Sequence, residues 1–113
     1  MIYLEVCFIL DFNLHEVDDI LQNVRNTNNI LIQNTSHFKK QAKTYKYCSY
    51  DLTYELLQNH APHDIKYSED NKFKVRYLNP NNEKYYTCIV IFIVDNEKIR
   101  IITTHPERRK KYD

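Results

Sequence analysis

The chain has 113 residues, 42% of them apolar and 27% charged, with a formal net charge of +1. Such a length and composition suit a single domain, 1–113, with one core, and the balanced charge excludes a strong global pull toward nucleic acid. There is no glycine, where an average chain of this length would carry about eight, so neither a GxGxxG loop nor a Walker phosphate loop can exist.

Three further features narrow the class. No apolar run approaches the length of a membrane span, and the N-terminal MIYLEVCFIL lacks the basic start and small-residue cleavage site of a signal peptide, so the expected location is cytoplasmic. The three cysteines, Cys7, Cys48 and Cys88, are widely spaced and form no C-x-x-C pair, which fits buried reduced thiols and no metal site. Twelve asparagines stand where turns would otherwise use glycine.

In chain order, Met1 to Leu10 reads as a strand rich in β-branched and aromatic residues. Leu14, Val17, Ile20, Leu21 and Val24 follow helical spacing, predicting an amphipathic helix from Leu14 to Arg25 with acids near its start. Ile30 to Gln33 reads as a short strand. Ser36 is an N-cap candidate for a helix from His37 to Tyr45, with Lys39, Lys43 and Lys46 on one face. Ser49 caps a third helix, Tyr50 to Asn59, with Tyr50, Tyr54 and Leu57 as its apolar stripe and Leu56 beside it.

The remainder reads as β. Lys72 to Leu78 alternates; Asn79-Pro80-Asn81-Asn82 is a turn; Lys84 to Asp95 is a central strand. Asn96-Glu97 is a two-residue turn with Asn96 taking the unusual dihedral. Lys98 to His105 closes the sheet, and Pro106 is expected to stop it. The fold class is therefore α+β. An N-terminal strand and helices pack on one face of a twisted, mainly antiparallel sheet that ends in a C-terminal β-meander.

Chemistry concentrates toward the C-terminus, in KIRIITTHPERRKKYD. Period-2 counting places Ile99, Ile101 and Thr103 on one face and Arg100, Ile102 and Thr104 on the other, with His105 on the Thr103 side. Thr103 or Thr104 offers a hydroxyl to a phosphate, His105 an acid or base, and Arg108 and Arg109 a clamp for phosphate oxygens. Each of these also suits a strand end followed by a solvated basic tail. His37, opening a helix with Lys39, Lys40 and Lys43, is a second acid–base candidate. Arg76 could face a groove beside the closing strand, and Tyr85 and Tyr86 could stack on bases.

The order of these features, TSHFKKQAKTYKY followed by KVRYLNPNNEKYYTCIVIFIVDNEKIRIITTHP and the basic ending ERRKKY, resembles the small ribonuclease toxins of the RelE-type, BrnT-type and barnase–EndoU–colicin group over about residues 35–113. The resemblance implies metal-independent RNA cleavage without a cofactor, by 2′-hydroxyl attack on the adjacent phosphate. It would place catalysis on His37, Lys40, Arg76, Thr104, His105 and Arg108, with His37 and His105 as the acid–base pair. Lys39, Lys43, Lys46, Arg109 and Lys110 would then bind RNA, and an antitoxin protein would be the expected partner. Two other readings stay open. One is a non-catalytic RNA- or protein-binding module of the same fold; the other is a homodimer built through Lys98–His105 as an edge strand.

Overall fold

A computed structural model describes residues 12–27, 29–44 and 48–110. The strand expected over Met1–Leu10, and Tyr45 and Lys46 at the end of the second predicted helix, lie outside the described residues. The elements run α1 (Leu14–Asn26), β1 (Leu31–Asn34), α2 (Ser36–Thr44), α3 (Tyr50–Asn59), β2 (Asp64–Glu69), β3 (Lys72–Leu78), β4 (Tyr85–Asp95) and β5 (Lys98–Arg108). The strands form one sheet in the order β1-β5-β4-β3-β2. β1 is parallel to β5, and the other neighbours are antiparallel. The class is α+β as expected. Among the described residues no helix is long and apolar enough to cross a membrane.

Local chemistry sets the helix boundaries. Asn13 and Glu16 close a capping box at the start of α1, with reciprocal backbone-to-side-chain bonds of 2.9 and 2.8 Å. The apolar stripe Val17, Ile20, Leu21 and Val24 is buried, as the spacing predicts. In α2 the cap is Thr35, not Ser36. Its hydroxyl accepts the Phe38 N–H at 3.1 Å and lies 2.9 Å from the carbonyl of Ile101, tying the helix start to β5. Ser49 caps α3 as expected, accepting the Leu52 N–H at 3.1 Å. The buried face of α3 is Thr53, Leu56 and Leu57 rather than a Tyr50–Tyr54–Leu57 stripe. Tyr50 is 43% exposed.

The sheet departs from the sequence reading in four places. First, β2 was not anticipated. Lys66 to Glu69 are all exposed, so this edge strand carries little hydrophobic alternation. It pairs with β3 through a turn whose Asp70 and Asn71 have φ of 41° and 62°. Both residues sit in the left-handed region, where Asp and Asn substitute for the missing glycine. Second, Asn96 does not share that conformation; its turn is closed by the Glu97 N–H on Asp95 Oδ1 at 2.8 Å.

Third, Pro106 does not stop β5, which continues to Arg108 with Pro106 opposite Thr87. β1 pairs with β5 only as far as Ile101. Beyond that point β5 has no strand on that side among the described residues, and an edge tolerates a residue with no N–H. Conversely, Lys98–Ile101 is interior to the sheet, not an edge open to a second copy. Fourth, Ile91 pairs with Ile101 while Val90 pairs with Thr103, so Ile102 is a bulge residue. The extra residue reverses the parity of everything after it. Thr104 therefore joins Ile99 and Ile101 on the helix-covered face, and Thr103, His105 and Glu107 turn to the other.

The core lies between the helices and one sheet face. Phe38, Leu56 and Leu57 join Phe73, Val75, Tyr77, Ile89, Ile91, Ile93, Ile99 and Ile101 there, with the α1 stripe. Full burial of each large aliphatic or aromatic side chain stabilises by about 1.5–3 kcal/mol. The opposite face carries Lys74, Arg76, Tyr86, Cys88, His105 and Glu107 by strand alternation and register.

Candidate functional site

On the face away from the helices, β2, β3, β4 and β5 bring Asp64, Arg76, Cys88 and His105 into one cross-strand row. The Asp64 carboxylate takes two bonds from Arg76, one from Nε at 2.8 Å and a second, shorter one from Nη2. Arg76 Nη1 donates to Glu107 Oε2 at 2.8 Å, and Lys74 Nζ donates to Glu107 Oε1 at 2.6 Å. Glu107 thus reaches from β5 across β4 to Lys74 and Arg76 of β3. Together these side chains roof Cys88, which has no exposed surface although its strand face carries no helix among the described residues.

Two carboxylates and two cations make this cluster formally neutral. The Lys74 ammonium, with help from Arg76, lowers the Glu107 carboxyl to about 2. The Arg76 guanidinium lowers Asp64 in turn, and Arg76 itself is pushed further up, chiefly by its bond to Asp64. Arg76 is therefore committed to two internal anions and does not present a spare charge to a groove. Its guanidinium also lies 4.4 Å from the Tyr86 ring centroid, on which His63 packs at 4.9 Å. Tyr86 is fully buried, so it cannot stack on a base. His105 is half-buried beside Lys74; burial first and that ammonium second hold its imidazolium below the usual histidine range. The Cys88 thiol, desolvated and next to Glu107, is pushed up to about 12.

The other anticipated residues lie elsewhere. Thr104 is buried on the helix side, 3.5 Å from the Thr53 hydroxyl and close to Cys48, whose thiol burial pushes up to about 11. It has no exposed surface to offer a phosphate. His37 is exposed on α2, 3.4 Å from Gln41. Phe38 of that helix belongs to the core on the helix side. His105 faces away from the helices by strand alternation, whereas His37 is carried by a helix that packs on the opposite face. Arg108 is exposed at the end of β5, 5.7 Å from the Tyr85 ring. Arg109 donates to the Glu83 carbonyl at 2.9 Å and lies over Tyr86, and Lys110 is exposed.

A second arrangement forms around α2. Lys39, Lys40 and Lys43 are exposed, and none makes an ion pair among the described residues. The helix itself contains no acid. Tyr50, at the start of α3, stacks between Phe38 of α2 at 5.6 Å and Tyr54 at 5.0 Å. Asn34 fixes both phenols: its Nδ2 donates to Tyr50 at 2.8 Å, and Tyr54 donates to its Oδ1 at 2.8 Å. Tyr50 is therefore held between two aromatic rings where α2 meets α3, and the lysines form the exposed face of α2.

Sequence reasoning missed Asp64, Glu107 and Asn34. Glu107 carried a usable signal, since His105 and Glu107 alternate onto one face once the strand is allowed past Pro106. Asp64 became visible only with the Asp70–Asn71 hairpin, which sets it opposite Arg76. No family model, curated protein or solved structure matches this chain.

Proposed function

We propose that the protein is a non-catalytic binding module for single-stranded RNA, with the lysine face of α2 as its contact surface. The observation that carries this reading is the exposed set Lys39, Lys40 and Lys43, without an ion pair among the described residues, on a helix without an acid. Cations that track phosphates bind single strands without needing a base code. Sites of this kind draw most of their affinity from counterion release, so binding weakens steeply with salt. Arg108, exposed at the far end of β5, is a further surface cation.

The ribonuclease reading loses support on geometry. Its acid and base would be His37, carried by a helix on one face of the sheet, and His105, turned to the other face, and its Arg76 is already neutralised by Asp64 and Glu107. The test is fluorescence anisotropy of a labelled single-stranded RNA in EDTA, with strand integrity checked on a gel. Binding with intact RNA, weakened by charge reversal of the three lysines, is the expected result. Clean metal-independent cleavage that His105→Ala abolishes would return the enzyme reading to first place.

A further inference from the structure

The neutral cluster contains a group of atoms that the binding reading leaves unused. Cys88 Sγ, a ring nitrogen of His105 and a carboxylate oxygen of Glu107 all lie within 4.8 Å of one another. The geometry points to a zinc site at these three side chains, with a fourth position open to water. Thiolate, imidazole and carboxylate are the donor types that Zn²⁺ accepts, and three protein ligands with one open position is a recurrent zinc arrangement.

The distances favour it. With metal–ligand bonds near 2.0–2.3 Å, the ligands of a tetrahedral zinc stand about 3.3–3.8 Å apart. Cys88 Sγ and Glu107 Oε1 are already 3.6 Å apart. Cys88 and His105 are directly opposed on β4 and β5, and His105 and Glu107 are two residues apart on one strand, so rigid ladder positions carry all three. The widest pair needs to close by only about 1 Å to meet that geometry. His105 is already favoured in its neutral, ligating form by burial.

Two cations oppose the ion, and they define what must move. Lys74 occupies Glu107 Oε1 and has to leave it; its side chain is about one-third exposed and can turn to solvent. Arg76 can stay on Oε2, anchored by Asp64, as the outer partner that orients a ligating carboxylate. On binding, the Cys88 S–H bond breaks, its proton passes to solvent, and a sulfur–zinc bond forms. A coordinating thiol loses its proton even where burial alone would keep it. The Lys74 ammonium is then the natural competitor of the metal.

The experiment uses the whole chain, reduced and stripped with a chelator. Zn²⁺ is titrated against a chromogenic chelator, and Co²⁺ serves as the spectroscopic probe. The expected result is one equivalent bound, with a thiolate-to-cobalt charge-transfer band in the near ultraviolet. That band is kept in Cys7→Ser and Cys48→Ser and lost in Cys88→Ser. His105→Ala weakens Zn²⁺ binding at least about tenfold. Lys74→Met tightens it severalfold, because the competing ammonium is gone. Absence of uptake, a band that survives Cys88→Ser, or Lys74→Met weakening the site would each overturn the assignment. Should Cys88→Ser fail to fold by circular dichroism, His105→Ala and Lys74→Met decide alone.

Discussion

Replacing Glu107 with glutamine tests the cluster that joins β3 to β5. The substitution keeps the shape of the side chain and removes its charge. Lys74 and Arg76 Nη1 then face an amide instead of a carboxylate, while Asp64 still holds the rest of the guanidinium. The magnitude follows from the carboxyl itself, lowered from 4.5 to about 2 by Lys74 and then Arg76. In full, that displacement corresponds to about 3 kcal/mol. Because Glu107 is 32% exposed, screening reduces the expected loss to about 2 kcal/mol. The sign is fixed by the direction of the shift. A folded-state value below the unfolded one contributes fully above pH 4.5 and is lost as pH falls from there toward about 2.

Urea denaturation followed by far-ultraviolet circular dichroism, in chelator to keep the cluster metal-free, reads both effects. At pH 7 the midpoint of Glu107→Gln should fall by about 0.7–2 M, given slopes of about 1–3 kcal/mol per molar for small domains. Between pH 5 and pH 3 the wild type should lose stability faster than the variant. Part of the acid sensitivity remains in both proteins, because Asp64 is also lowered by Arg76. Unchanged midpoints at pH 7, or wild-type and variant curves that stay parallel down to pH 3, would refute the reasoning.

Three other outcomes follow from the same structure. Asn34→Ala frees the hydroxyls of Tyr50 and Tyr54; it should cost about 1 kcal/mol of stability, measured by thermal melting. Thr104→Val replaces a buried hydroxyl whose partner Thr53 is a long 3.5 Å away. It should change stability by no more than about 1 kcal/mol and leave RNA affinity untouched; a large loss of affinity would contradict its placement under α3. Cys48 and Cys88, buried and pushed up to about 11 and about 12, should resist a thiol reagent in the native protein at pH 7.5 and react once urea unfolds it. Fast native labelling of Cys88 would mean that the Arg76–Glu107 roof is open.

The parts of this fold governed by uninterrupted periodicity were readable from the residues. The α1 stripe, the Ser49 cap and the central β4 strand came directly from 3.6- and 2-residue spacing and local capping chemistry. What escaped were features that periodicity does not carry. β2 is an edge strand with a polar exposed end, so nothing distinguished it from loop. The Ile102 bulge is invisible to period-2 counting, and it alone moved Thr104 under the helices and turned His105 and Glu107 to the opposite face. Arg76 stands out in the sequence as a mid-strand cation, but its partners come from two other strands, 12 and 31 residues away. The lysine face of α2 was legible as a face; the Asn34 and Phe38 contacts that hold Tyr50 depend on tertiary packing.

The most direct test of the RNA-binding account is the salt dependence of affinity for a labelled single-stranded RNA. It compares the wild type with Lys39→Glu/Lys40→Glu/Lys43→Glu. Engagement of three phosphates predicts a wild-type slope of log affinity against log salt of about −2. The triple variant should lose most of that slope and bind at least about tenfold more weakly at low salt. Equal slopes and affinities in the two proteins would contradict the account, as would a wild type that binds no RNA at low salt.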